Sequence, residues 1–391
     1  MRKDRKAGNC VVARGGGISD DGDFLQHPVL GRRSLGRTAA GLAAAAALQP
    51  VLSAMASAAE DSGTKDVGIL QVRARAIPVP KTISPQAQQF LARASARMGP
   101  NAPVLPSPPP LDDKAAWKAY IAATDKMLAP MTERKLANAA ASFVRKTIGG
   151  ANVCVGTPKT MLHPDRAHIH IHGGAWTIGG GPAVEGDAVT TATESGCTAF
   201  AVDYRMPPDF PFPAALDDCL ATYREVIKSY DPKKVVISGV SSGGTLCGAV
   251  LLKIRDVGLP MPAAAVMLTP VTDLSQLSDS WSTNMGIDPI VTRHTYAQNA
   301  LYAPGHDIKD PYLSPLFGDF TKGFPPTFLQ SGTRDILLSD TVLMHQALLK
   351  AGVEAELHVW EAMPHAGFGG DTPEDREVQD RVRRFIDKHL I

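Results

Sequence analysis

One serine stands where a nucleophile would be needed. The hexapeptide Gly239-Val240-Ser241-Ser242-Gly243-Gly244 follows the apolar run Val235-Val236-Ile237 and leads into a helix-forming stretch at residues 245–252. Glycines on either side let the chain turn sharply from strand to helix and let the helix pack close, which presents the serine hydroxyl at the helix amino terminus. The pentapeptide Gly-x-Ser-x-Gly arises by chance in chains of 391 residues with 35 glycines, so the reading depends on its company. A serine hydroxyl is a poor nucleophile near neutral pH and needs a histidine base, an acid that orients the base, and donors for the oxyanion. Each has a candidate. Upstream, a strand ending at His170-Ile171 runs into His172-Gly173-Gly174-Ala175-Trp176, a glycine turn able to present backbone N–H groups to a reacting carbonyl. Downstream, Phe328-Leu329-Gln330-Ser331-Gly332 reads as a strand feeding a turn that holds Asp335. A last strand at residues 355–360 precedes the loop Met363-Pro364-His365-Ala366-Gly367-Phe368.

The chain order Ser241, Asp335, His365 is that of the α/β-hydrolases and not that of chymotrypsin or subtilisin. Three blocks, in order, carry a more specific likeness: His172 to Trp176, the stretch Asp203-Tyr204-Arg205 through Asp217-Asp218, and Gly239 to Gly244. With these the chain resembles the hormone-sensitive-lipase family, the bacterial family IV esterases, over residues 67–391. The resemblance implies Ser241 as nucleophile, His365 as base and Asp335 as its orienting acid, with the N–H groups of Gly173, Gly174 and Ser242 as the oxyanion site. It also implies short or medium acyl esters as substrates and a tendency to dimerise, so a homodimer is an expectation. The sequence departs from the family at Ala175, where a third glycine is usual, and at Val240 and Ser242, where Asp and Ala are usual. Neither change removes a catalytic side chain, and the extra Ser242 hydroxyl adds a hydrogen-bonding group beside the nucleophile.

The chemistry implied is two-step acyl transfer through an acyl-enzyme, with no cofactor and no metal. No zinc-type spacing and no Gly-x-Gly-x-x-Gly after a strand is present. Lactones, or amides in the manner of an amidase or peptidase, suit the same triad. A non-catalytic ligand-binding protein on the same scaffold is the alternative from another class, and retention of all three triad residues argues against it.

Strands expected near 143–148, 152–156, 198–202, 235–239, 264–268, 327–330 and 355–360 alternate with helical stretches at 214–229, 244–257, 340–352 and 372–390. Such alternation predicts an α/β fold with a mostly parallel central sheet and helices on both faces. Loops at the strand carboxyl ends share one edge, which would gather Ser241, Asp335 and His365. Helical segments within residues 60–142, and an insertion at about 280–305, are expected to form a helical cap over the catalytic domain at 143–391. Trp117, Tyr120, Met285, Ile290, Tyr296 and Leu301 are candidate pocket-lining residues.

Residues 1–59 are set apart as a leader. Gly31-Arg32-Arg33-Ser34-Leu35-Gly36-Arg37 precedes an alanine-rich stretch closing on Ala56-Ser57-Ala58-Ala59, a pattern like a twin-arginine export signal, so the expected location is periplasmic or secreted, with no stable membrane anchor after cleavage. The whole chain carries +1, but residues 1–37 hold eight Arg or Lys and four Asp, so the remainder carries −3. Nothing there resembles a nucleic-acid footprint, and a small-molecule ester is the expected partner.

Other features have simpler accounts. His168, His170 and His172 share one strand face, but alternate strand positions lie about 7 Å apart and no second ligand cluster lies nearby, so His172 is expected to brace the oxyanion turn. Asp340 falls at a helix start, where capping accounts for it. His358 within a strand and His345 within a helix are poorly placed as bases. Cys219 and Cys247 sit in apolar helical contexts, and no essential disulfide is expected.

Overall fold

The computed structural model describes residues 69–98 and 107–390. The leader expected at residues 1–59 lies outside the described residues. The chain divides into two compact units, Met1–Ala76 and Ile77–Ile391. In the first, residues 69–76 run without regular secondary structure.

The second unit begins with two helices, α1 (Pro85–Met98) and α2 (Lys114–Asn138), before any strand. The sheet starts with β1 (Ala141–Ile148) and β2 (Ala151–Pro158), followed by β3 (Ala167–Ile171), α3 (Pro182–Ser195), β4 (Thr198–Asp203), α4 (Ala214–Val226), β5 (Val235–Val240), α5 (Ser242–Asp256) and β6 (Ala264–Leu268). Two short helices, α6 (Ser280–Thr283) and α7 (Tyr296–Tyr302), precede β7 (Thr327–Gly332), α8 (Leu338–Lys350), β8 (Ala355–Trp360) and α9 (Pro373–His389). The eight strands form one sheet in the order β1-β2-β4-β3-β5-β6-β7-β8. β1 pairs with β2, and β2 with β4, antiparallel, and every other pairing is parallel.

Burial explains why the central strands lack polar alternation. β5 and β6 are buried almost throughout and β7 completely, because helices cover both faces of a parallel sheet. α5 is buried on nearly every side, from Ser242 to Leu252 and again at Ile254, so it forms the centre of the domain rather than a surface layer. A side chain at its Gly248 would begin 2.9 Å from Pro315, a separation that only glycine allows.

The C-terminal helix is placed by its first turn. Thr372 accepts from Asp375 N at 3.1 Å and Pro373 opens the helix, a complete capping box. The Asp375 carboxylate also accepts from Phe368 N and Gly370 N, both at 2.9 Å, and so ties the loop after His365 to α9. From the other side, Ile83, Ala87 and Leu91 pack against Ala362, Met363 and Phe368, and Ser84 donates to Glu374 through both its backbone and its hydroxyl. The early helix α1 thus buttresses the loop that carries His365. Trp117 of α2 is fully buried, its indole N–H on Pro110 O at 3.1 Å, while Ile290 and Tyr296 remain about half exposed.

Four thiols, Cys154, Cys197, Cys219 and Cys247, are buried and unpaired. Burial pushes Cys154 up to about 11 and Cys247 up to about 12, which leaves both protonated at neutral pH. No helix among the described residues is long and apolar enough to cross a membrane.

Candidate active site

Ser241 sits alone between β5 and α5 with φ 57° and ψ −123°, a left-handed conformation that strains any residue with a Cβ. The surrounding backbone enforces it. Ser241 N donates to Leu268 O at 2.9 Å, and Ser241 O accepts from Gly244 N at 2.9 Å as the helix begins. A Cβ on Gly239 would meet Gly243 O at 2.1 Å, and one on Gly243 would meet Ile171 O at 2.1 Å. Both flanking glycines are therefore steric requirements of a strand, turn and helix that cross in close contact.

The glycine turn after β3 runs directly against this serine. A side chain on Gly173 would begin 3.2 Å from Ser241 Cβ and 2.9 Å from Val240 O. Gly174, Ala175 and Trp176 all have positive φ, at 111°, 49° and 58°, so two residues with side chains share the strain that glycine would relieve. The departure at Ser242 supplies a restraint: Trp176 N donates to Ser242 Oγ at 3.3 Å, and the indole stacks on Tyr302 with centroids 4.9 Å apart. Among the described residues, none accepts a hydrogen bond from the N–H groups of Gly173, Gly174 or Ser242. Free donors beside a serine at a helix amino terminus, where the helix dipole adds positive potential, suit a developing oxyanion.

Polar groups from three directions hold that turn. His172 Nδ1 lies 2.7 Å from Gly173 O, its ring stacks on Tyr204 at 4.0 Å, and Tyr204 OH donates to His172 O at 3.1 Å. Burial holds the His172 imidazole below its ordinary pKa, which keeps it neutral and consistent with a bracing role. Asp218 accepts from Arg205 N, Nε and Nη2, Asp203 accepts from Gly181 N at 2.8 Å, and Asp125 of α2 accepts from Gly179 N at 2.9 Å. His168 Nε2 and His170 Nδ1 both meet Ser238 Oγ, at 2.7 and 2.9 Å, and burial pushes them down to about 3 and about 4.

Asp335 and His365 meet across the loops after β7 and β8. His365 Nδ1 is 3.1 Å from Asp335 Oδ1, with Asp335 fully buried and His365 only 5% exposed. Leu337 N donates to the same Oδ1 at 2.9 Å, and Ser331 Oγ donates to Oδ2 at 2.6 Å. A carboxylate surrounded by donors accepts from the imidazole, which assigns the proton to Nδ1 and leaves Nε2 as the basic nitrogen. The two loops touch closely: a Cβ on Gly332 would fall 2.0 Å from Met363 O, and Arg334 N donates to Met363 O at 3.2 Å. That contact joins the loops that follow the last two strands of the sheet.

Burial alone would lower the pKa of His365, but the hydrogen bond and charge of Asp335, with the charge of Asp288, outweigh it and raise the value above 6.5. With His365 as the base, the unprotonated imidazole is the active form, and activity is expected to develop as pH rises through that pKa. The acid limb of kcat/KM, measured by pH-stat on an ester, is expected to have its midpoint above 6.5, and a midpoint at or below 6.5 would contradict this electrostatic balance.

Asp340 corrects an expectation. It is the third residue of α8 and does not cap that helix. Its carboxylate accepts from Thr272 N at 2.9 Å, Asp273 N at 3.3 Å and Ser278 Oγ at 2.5 Å, so it anchors the loop after β6, and burial pushes its pKa up to about 6. A helix start offers N–H groups to any nearby acid, but here a neighbouring loop supplies better-placed donors. His358 stacks on Phe328 within β8 and His345 faces Ala355 O from α8, which leaves neither near Ser241's turn.

Sequence reasoning passed over Asp288. It is fully buried in the segment between α6 and α7 and accepts from Ile336 N at 3.0 Å and His365 N at 3.2 Å through Oδ2. The signal available was Asp288-Pro289, an acid ahead of a proline inside a segment otherwise read as cap. Asp125 is equally unmarked, because it acts on a backbone N–H 54 positions away, and Ser331 reads in sequence only as part of a strand.

A family model described as alpha/beta hydrolase fold matches residues 168–368. An acetyl-hydrolase of Streptomyces hygroscopicus is 34% identical over 225 residues, which is 56% of this chain and 75% of that protein. The crystal structure of esterase E25 superposes with a TM-score of 0.74 at 31% identity, covering 83% of this chain and 99% of that one. An esterase of the bacterial hormone-sensitive lipase family superposes with a TM-score of 0.64 at 28% identity, covering 79% and 99%. Sequence, fold and the arrangement around Ser241 converge: the chain belongs to the α/β-hydrolase family, among the bacterial hormone-sensitive-lipase esterases, and is a carboxylic ester hydrolase.

Proposed function

We propose that this enzyme hydrolyses short-to-medium acyl or aryl carboxylic esters through an acyl-enzyme on Ser241. His365 takes the Ser241 proton as the hydroxyl attacks the ester carbonyl, and Asp335 stabilises the imidazolium that forms. The N–H groups of Gly173, Gly174 and Ser242 receive the oxyanion. His365 then returns the proton to the departing alcohol, and water, activated by the same imidazole, releases the acid. The reading is carried by a strained Ser241 that lies against the free N–H groups of the glycine turn, and by a His365 imidazole on the loop after β8 whose Nδ1 is held by Asp335. The short-chain preference is supported by the likeness to a protein named acetyl-hydrolase.

Initial rates on p-nitrophenyl esters from acetate to palmitate, beside a lactone and an anilide, test it. A maximum at short or medium chains is expected. A flat profile across the esters with faster lactone or anilide turnover would replace this substrate class by one of the alternatives. Export by a twin-arginine route to the periplasm or beyond is proposed on Arg32-Arg33 and the alanine-rich stretch that follows.

A further inference from the structure

We infer that Asp288 is a second carboxylate acting on His365, a positioning residue in the cap insertion that locks the base-bearing loop to the acid-bearing loop and lends its charge to the imidazolium. The inference rests on the reading of His365 as the base. Four backbone N–H groups converge on this one side chain. Oδ1 accepts from Ile290 N at 2.8 Å and Val291 N at 3.3 Å, a local Asx-type turn. Oδ2 accepts from Ile336 N, one residue after Asp335, and from His365 N itself. Burial raises the Asp288 pKa from the ordinary carboxylate value, but a carboxyl surrounded only by N–H donors has no acceptor for a proton of its own, so this arrangement suits the ionised form. Asp288 therefore spans residues 288, 336 and 365, three segments that no covalent or strand pairing joins directly.

The charged groups acting on His365 are Asp335, from the loop after β7, and Asp288, from the segment before α7. Asp335 is bonded to the ring, whereas Asp288 is bonded to the backbone of the same residue. Removing the first disturbs the ring's partner. Removing the second leaves that partner in place and takes away a nearby negative charge, which lowers the His365 pKa.

The test is Asp288→Asn, in which the amide oxygen can keep Ile336 N and His365 N while the NH2 group turns toward the solvent-side Ile290 turn and loses those local bonds. His365 is titrated by histidine-selective NMR, assigned by its absence in His365→Gln, and kcat/KM is followed against pH per titrated active site. The expected result is a His365 midpoint lower by half a unit or more, with the acid limb of kcat/KM moving to lower pH by the same amount, and a kcat at least threefold lower, the rate that half a unit represents. Asp288→Glu, which keeps the charge, should keep the midpoint near the parent value. Asp288→Ser takes the place of the Asn variant if that protein does not fold. An unchanged midpoint in the neutral variant, with activity lost only in proportion to folded protein, would show a purely structural residue and overturn the inference. The NMR titration needs no turnover, so a parent enzyme without Ser241-dependent ester hydrolysis would sink the proposed function while the role of Asp288 is still decided.

Discussion

Ser241→Ala is expected to lower ester turnover by about 10⁴-fold or more, some 5.5 kcal/mol of lost transition-state stabilisation, with the protein still folded. The size follows from the role: without the hydroxyl no acyl-enzyme forms, and only the oxyanion donors and binding remain to assist water. The fold is expected to survive for a local reason. Ser241 holds φ at 57°, and alanine carries the same Cβ into the same strained conformation, so the strain is unchanged. Ser241→Gly removes the Cβ and is expected to melt higher, by about 1 kcal/mol of relieved strain, while being equally inactive. Turnover by purified Ser241→Ala within tenfold of the parent, free of contaminating esterase, would remove Ser241 from the mechanism. A collapse in Tm with either variant would mean that the hydroxyl, and not the backbone crossing, shapes the turn.

Asp335→Asn is expected to lower kcat by about 10²- to 10³-fold, less than the 10⁴-fold loss that follows when such a change imposes the wrong imidazole tautomer. The difference lies in what surrounds this carboxylate. Oδ1 receives both His365 Nδ1 and Leu337 N, while Oδ2 receives only the Ser331 hydroxyl. An asparagine can keep its oxygen toward His365 and Leu337 and donate its NH2 to Ser331, whose hydroxyl can turn to accept. Orientation and tautomer then persist, and the loss is that of charge. With that charge gone, burial becomes the dominant influence on His365, so the acid limb of kcat/KM should move to lower pH, opposite to the raised position expected of the parent. A kcat loss near 10⁴-fold, with no downward movement of the limb, would mean that asparagine turns its nitrogen to the ring instead.

The nucleophile turn was legible in the sequence because its constraint is local. A strand, a serine at positive φ and a tightly packed helix leave glycine as the only residue tolerated at 239 and 243, and that demand is written in adjacent positions. The central strands were legible for a similar reason: β5, β6 and β7 are buried on both faces and so read as short apolar runs. The order of Ser241, Asp335 and His365, together with the strand-and-helix alternation, then led to the fold class and to the three candidate side chains.

The supports of the site were decided only by tertiary structure. Asp340 looks like a helix cap in sequence and instead holds residues 272–278. The Ser242 hydroxyl, a departure from the family pattern, reaches back 66 positions to Trp176 and restrains a turn in which Ala175 replaces glycine. Asp125 comes from a helix that precedes every strand, and Asp288 from a segment between two short helices, yet each fixes backbone on which the chemistry depends. Such groups recognise N–H donors, which every residue but proline possesses, so no partner side chain marks them in advance. Local steric demand and burial pattern determine which residues can react, and this much the sequence alone carried. Which carboxylates hold those residues in place is set by folded loops meeting across large separations in the chain, and that is known only once the fold has brought them together.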